Sequence, residues 1–351
     1  MRDLLGNAVH RGASDLHLGV GLPPVLRVDG RLERTPLPAV SADQMNEFLH
    51  EVTTPDQRGD LERDGQVDFS YGVAGLGRFR ISVFRQRGTI AFAARVIPTE
   101  VPSLDELGIP PALVVAAFAP KGLVLVTGPA GSGKSTTLAA LIDTVNRNSE
   151  RHIITLEDPI EYLHRHRRSV VHQREVGTDT SSFAAGLRSA LRQDPDVVMI
   201  GEMRDLETMA TAITAAETGH LVMATLHTID AAQTVARIVD AFPAGQQNQV
   251  RVQLAGALVA VAAQQLIPRA DGQGRVAAFE LLLCTPAAAN LIREGKLHQL
   301  GTVLETGSAL GMVTMRQSLQ RLRDTGLISE EECVRRVKLA GGGAGYAGLA
   351  V

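Results

Sequence analysis

The chain has 351 residues, 44% of them hydrophobic and 21% charged, with a formal net charge of −3. That length suits two domains, and with aromatics at 3% and no tryptophan the core must be aliphatic. The mild acidity excludes bulk attraction to nucleic acid or an anionic membrane, and few aromatics remain on which bases could stack. Two cysteines, Cys284 and Cys333, without a C-x-x-C spacing, exclude a zinc ribbon and a disulfide framework. The opening MRDLLGNAVHRGASD is broken by charges and does not read as a signal peptide. The longest apolar run, residues 254–263, is about half of the ~20 residues a membrane helix needs. A soluble, intracellular protein without a transmembrane segment is expected.

In chain order, DLLGNAV has the spacing of an amphipathic helix and SDLHLGV alternates as a strand. PVLRVDGRLERT predicts a hairpin turning at Asp29-Gly30. GRFRISVFRQ and TIAFAARVI predict further strands; in the first, Phe79, Ile81 and Val83 face one way and Arg78, Arg80 and Ser82 the other. Residues 1–97 thus read as a small α+β unit. Residues 98–111 carry four prolines and neither a strand nor a long helix, which marks an interdomain linker.

Beyond the linker, LVLVTG, HIITLED, DVVMIGE and LVMATLH alternate with helical patterns. This predicts an α/β domain, a mostly parallel sheet covered by helices, with ligands at the carboxyl ends of its strands. After Ala241 the pattern turns helical. QVRVQLAGALVAVAAQQLI places Val250, Leu254, Leu258 and Val261 on one helix face and stops at Pro268. PAAANLIREGK and MRQSLQRLRDTGLISEEECVRRV extend this into a helical appendage reaching residue 338. Residues 339–351 read as a mobile glycine-rich tail.

The strongest chemical signal is VTGPAGSGKSTT, residues 126–137, which fits G-x-x-x-x-G-K-[ST] between a strand and a helix. Gly128, Pro129, Ala130, Gly131, Ser132, Gly133, Lys134, Ser135 and Thr136 are the candidates for binding ATP. Glycines let successive N–H groups turn inward around an anion, and the helix N-terminus adds partial positive charge. Lys134 would reach the β- and γ-phosphates, and Ser135 would hold Mg²⁺.

Three further strand ends carry chemistry. DPDVVMIGEMRD ends in Glu202, placed to polarise water or order the Mg²⁺ shell. Many nucleotide hydrolases have Asp-Glu at that point, whereas this chain has Gly201-Glu202. TLEDPIEY groups Glu157, Asp158 and Glu161, and packed carboxylates repel unless they share a cation or a proton. Beside Mg·nucleotide they would supply a water-activating base and, with Asp158, the metal shell; the alternative is an acidic helix N-terminus. ATLHT ends in His227, which reads either as a γ-phosphate sensor or as a structural histidine.

With ASDLHL and QREVGTDT added, these motifs resemble those of the secretion-ATPase superfamily, and within it the type IV pilus retraction ATPases, the PilT family. The similarity runs over residues 1–335. It implies a PAS-like domain over residues 1–97 and a RecA-like ATPase domain with a helical C-terminal part over 112–338. It also implies a homohexamer at the inner face of the cytoplasmic membrane, partnered by an inner-membrane pilus platform protein and the pilus machinery, not by nucleic acid. ATP hydrolysis would there drive pilus retraction and twitching motility. Position by position, the resemblance assigns Lys134 and Ser135 to the Walker A motif and Glu157, Asp158 and Glu161 to the family's Asp box. Glu202 becomes the Walker B glutamate and His227 the His box. Arg80 and Arg95 match N-terminal arginines that approach nucleotide across a domain or subunit boundary. The chain departs at PAAANLI, where the family usually carries AIRN and Ala289 stands in place of the arginine. A pilus-extension or secretion ATPase would add a longer N-terminal domain and a tetracysteine site. A nucleic-acid motor would need aromatics in a strand-tracking groove. A non-catalytic partner of another ring would not need Lys134, Glu161 and Glu202 intact.

Overall fold

In the computed structural model, which describes residues 1–341, helix α1 (Arg2–His10) leads into β1 (Asp15–Gly19). A hairpin of β2 (Val25–Val28) and β3 (Arg31–Arg34) follows. Asp29 at φ 48° and Gly30 at φ 79° are both left-handed, as a two-residue type I′ turn requires. Hydrophobic spacing did not reveal the next two helices, α2 (Ala42–Val52) and α3 (Pro55–Asp64). Each opens on a capping box, Ser41 with Gln44 and Thr54 with Gln57. Strands β4 (Gln66–Val73), β5 (Gly77–Gln86) and β6 (Thr89–Ile97) complete a six-stranded antiparallel sheet ordered β3-β2-β1-β6-β5-β4. Phe79, Ile81 and Val83 of β5 are fully buried with Leu5, Met45 and Leu61 from the helices. Each such side chain contributes roughly 1.5–3 kcal/mol of burial. Arg80 of β5 and Arg95 of β6 stand directly opposite each other across the strand pair.

The chain divides into two units, Met1–Glu100 with Glu161–Leu163, and Val101–Ile160 with the residues from His164 onward. No strand or α-helix forms between β6 and α4 (Pro111–Ala116). Val101, Leu104, Leu107 and Ile109 of the proline-rich stretch nevertheless pack into the core of the second unit.

That unit continues through β7 (Gly122–Thr127), α5 (Lys134–Asn148), β8 (His152–Glu157), β9 (Val170–Glu175) and α6 (Phe183–Ala190). Next come β10 (Val197–Ile200), α7 (Leu206–Thr218), β11 (Leu221–Leu226), α8 (Ala231–Asp240) and α9 (Gln247–Ala257). With β12 (Leu258–Pro268) and β13 (Arg275–Leu283) these strands make one sheet, ordered β13-β12-β7-β11-β10-β8-β9. All neighbours are parallel except β12 and β13. Helices α4 and α5 cover one face, and α6 to α9 the other. Every residue of β7, β10 and β11 is buried, the signature of strands covered on both faces.

The single helix expected to end at Pro268 is corrected: it stops at Ala257 and the chain continues as β12. Val261 faces the core on one side of the sheet, and Ala260 and Ala262 face the other. A strand buried on both faces is apolar throughout, so its period of two disappears and the run imitates a buried helix. The C-terminal part is thus helical only after β13, in α10 (Pro286–Glu294), α11 (Leu300–Thr306), α12 (Met315–Asp324) and α13 (Glu330–Gly341). Residues 339–341 continue α13, and the rest of the expected glycine-rich tail lies outside the described residues.

Candidate functional site

Strand β7 ends at Thr127, and the chain loops through residues 128–133 into α5. Gly128, Gly131 and Gly133 have φ values of 144°, 74° and 87°. A Cβ on Gly128 would stand 2.3 Å from the Gln264 carbonyl oxygen, and one on Gly133 2.9 Å from Gln264 Nε2. Glycine is therefore required at Gly128 for shape as well as for φ, and at Gly133 for φ, since a side-chain amide can move aside where a carbonyl cannot. Lys134 is only 8% exposed, and its Nζ donates to the carbonyls of Gly128 at 2.8 Å and Pro129 at 3.0 Å. Pro129, Ala130, Gly131 and Ser135 are exposed, and Thr136 is half-buried. The buried Ser132 hydroxyl has no partner among the described residues. An inward-turned loop with an orphaned hydroxyl, a lysine and an exposed serine at a helix start fits the phosphates of a nucleotide and its metal.

The parallel register brings the carboxyl ends of β7, β11, β10 and β8 to one edge of the sheet. Beyond β11, His227 sits with Nδ1 3.5 Å from Lys134 Nζ and Nε2 3.0 Å from Glu202 Oε1. An ammonium only donates, so Nδ1 accepts and the proton resides on Nε2, directed at the carboxylate. Glu202 also accepts from Arg204 Nη2 at 2.7 Å. Partial burial pushes the Glu202 carboxyl up, but the Arg204 hydrogen bond and the nearby His227 outweigh it, so the net direction is down. Lys134, His227, Glu202 and Arg204 thus form one line of side chains. Gly201 donates its N–H to Leu156 O at 2.7 Å, and a Cβ there would lie only 3.3 Å from that oxygen. A side chain at this position would need the Leu156 carbonyl to give by a few tenths of an ångström.

The other anticipated residues are dispersed. Glu157, 7% exposed at the end of β8, accepts from Thr155 Oγ1 at 2.6 Å and Gln173 Nε2 at 3.0 Å. Asp158 is exposed and, secondary to Glu202, adds to the field that holds Arg204 charged. Glu161 is exposed and falls in the short segment that groups with the first unit, where Leu163 N donates to Pro98 O at 3.1 Å. Arg95, in that unit, is paired with Asp15 at 2.9 Å, and Arg80 beside it is exposed. Burial raises the Asp15 carboxyl, but the Arg95 and Ser14 hydrogen bonds bring it net below its ordinary value.

Sequence reasoning missed Gln264. It is 3% exposed, sits on β12 beside the loop, and accepts from the buried Thr137 hydroxyl at 2.8 Å. The signal available was a glutamine pair interrupting the apolar run VAVAAQQL. Through Thr137 and the close approach to Gly128 and Gly133, Gln264 holds the loop from beneath. Gln264→Leu leaves the Thr137 hydroxyl unpaired and is expected to raise the KM for ATP about tenfold, with a smaller change in kcat. Steady-state kinetics check this, and an unchanged KM removes Gln264 from that role.

A glycine loop opening a helix at the carboxyl edge of a parallel sheet, with lysine, histidine and glutamate in line, defines a P-loop ATPase. The family model described as "Type II/IV secretion system protein" matches residues 2–326. The chain is 47% identical over 337 residues to the type IV pilus retraction ATPase PilT of Pseudomonas aeruginosa, covering 96% of this chain and 98% of that protein. It is 49% identical over 315 residues to a twitching motility protein of Neisseria gonorrhoeae, covering 90% and 84%. A crystal structure of the pilus retraction motor PilT with bound ADP superimposes with a TM-score of 0.86 at 48% identity, covering 95% of each chain. This chain belongs to the PilT family of type II/IV secretion system proteins. Among the described residues no helix is long and apolar enough to cross a membrane.

Proposed function

We propose that this chain is a homohexameric motor that couples Mg²⁺-dependent ATP hydrolysis to type IV pilus retraction and twitching motility. It would work at the cytoplasmic face of the inner membrane through the pilus platform protein. The reading is carried by near-full-length similarity to proteins named for retraction and twitching, joined to the line from Lys134 through His227 to Glu202. In the proposed cycle Lys134 exchanges the Gly128 and Pro129 carbonyls for phosphate oxygens. Ser135 would hold the metal with Asp158 in its outer shell, and the metal supplies charge neutralisation at the phosphates. Glu202, kept ionised by Arg204, accepts the proton of the attacking water, and the His227 Nε2–H fixes the orientation of that carboxylate. Deleting the gene and scoring surface pili and twitching tests the direction of work. Accumulated, non-retracting pili support retraction, and bald cells point to assembly.

The two facing arginines of the first unit enter the same proposal. Arg80 and Arg95 stand opposite each other across the strand pair, with Arg95 held by Asp15 and Arg80 exposed. They are proposed to serve a composite site in the ring, reaching the γ-phosphate when domains close. An arginine acting as a finger contributes on the order of 10³–10⁵ in rate. Arg80→Ala or Arg95→Ala is expected to cut turnover at least about tenfold while ADP binding persists, and activity per subunit should fall on dilution. Full specific activity in a demonstrably monomeric sample refutes the ring requirement, and unchanged turnover in both variants refutes the arginines.

A further inference from the structure

The first unit contains a cavity of about 380 Å³, walled by α2, α3, the residue after β1 and the β5–β6 hairpin. The volume lies within the range of small-molecule sites. Its floor is apolar, with Val20, Leu49, Leu61 and Ile90, and its rim carries His50, Arg58, Arg85 and Glu62. None of these residues belongs to the nucleotide loop or to the line from Lys134 to Arg204.

Two observations give the cavity a chemical preference. Arg85 continues the odd-numbered face of β5 on which Phe79, Ile81 and Val83 are fully buried, so a charge is set at the margin of an apolar core. Among the described residues its guanidinium has no hydrogen-bond or ion-pair partner in the chain. Arg58 is fixed through Nη1, which donates to Thr53 O at 2.6 Å and Thr53 Oγ1 at 3.2 Å, leaving the rest of the fork free. A fixed guanidinium loses little freedom on meeting a carboxylate or phosphate, which matches its planar donors. Two arginines against one glutamate leave the rim net positive. The lining has no phenylalanine, tyrosine or tryptophan on which a base could stack, which argues against a second nucleotide.

We propose that this cavity binds a small amphiphilic organic anion, one acidic head group on an aliphatic or alicyclic body, with Arg58 and Arg85 on the head and Val20, Leu49, Leu61 and Ile90 around the body. The site lies outside the nucleotide machinery, so a ligand there would modulate the protein without competing for ATP.

The test is a fluorescence titration of the full chain with anilinonaphthalene sulfonate, an apolar body bearing one acidic group, with ADP present to saturate the nucleotide loop. Saturable binding at about one probe per chain, displaced by octanoate but not by inorganic phosphate, is expected. Arg85→Gln should weaken probe binding about tenfold, the loss of one charge-assisted contact, and Glu62→Gln should strengthen it severalfold. Both residues are exposed, and basal ATPase activity should be unchanged in both variants. Absence of saturable binding overturns the proposal. So does displacement by phosphate as readily as by octanoate, or equal probe affinity in wild type and both variants.

Discussion

Lys134→Ala is expected to lower ATP turnover at least about a hundredfold, the scale seen when one preorganised charge at a reacting centre is removed. The lysine is the first residue of α5 and lies nearly buried inside its own loop, with two backbone carbonyls as partners and His227 within reach. Its ammonium is thus already confined to the space that phosphate oxygens would enter, and little reorganisation separates the resting contacts from the catalytic ones. Alanine also strips a donor from Gly128 O and Pro129 O. Thermal unfolding should accompany the kinetics to separate loop collapse from lost chemistry. Preserved turnover in a folded Lys134→Ala protein would falsify the loop's catalytic assignment.

Glu202→Gln tests the other end of the line. Glutamine keeps the shape but cannot accept with both heads, so it must turn an NH₂ toward either the His227 Nε2–H or Arg204. ATP binding should survive while hydrolysis falls about a hundredfold or more, the loss of a general base. Nucleotide affinity and turnover measured side by side decide it; near-normal turnover would move the role to Glu161. The electrostatics add a pH expectation. The folded-state carboxyl lies below its ordinary value of 4.5, so the ionised form is favoured in the native state. Its contribution to stability is then complete above the ordinary value and is lost as pH falls through the lower folded value. An acid limb of activity belonging to Glu202 should likewise lie below 4.5.

What was legible in the sequence followed from local physics. The loop needed left-handed glycines at fixed spacing, and Gly128 and Gly133 announced it. The hairpin needed two positive φ values, and Asp29-Gly30 supplied them. Ser41 with Gln44 and Thr54 with Gln57 had written the starts of α2 and α3 as capping boxes, but α3 has so little apolar surface that hydrophobic spacing passed over it. What was not legible depended on partners distant in the chain. Only the neighbours on both faces of β12 turn its apolar run into a strand, and only β12 places Gln264 beneath the loop. Glu157 and Glu161 are four residues apart in sequence, yet one is buried at the end of β8 and the other groups with the first unit. No spacing rule separates them.

The close approach at Gly201 bears on what can be built onto this scaffold. An aspartate before Glu202 is one residue away on paper, yet its first side-chain carbon would press on the carbonyl of Leu156 and sit 3.5 Å from the Glu157 Cα. The Leu156 carbonyl would have to give by a few tenths of an ångström before an acid could be placed there. The glycine thus marks a point of tight packing between the end of β10 and β8, where any side chain is admitted only with an adjustment of the backbone. A designer wishing to graft a second strand-borne carboxylate onto this ATPase would first ease the β8 backbone at Leu156.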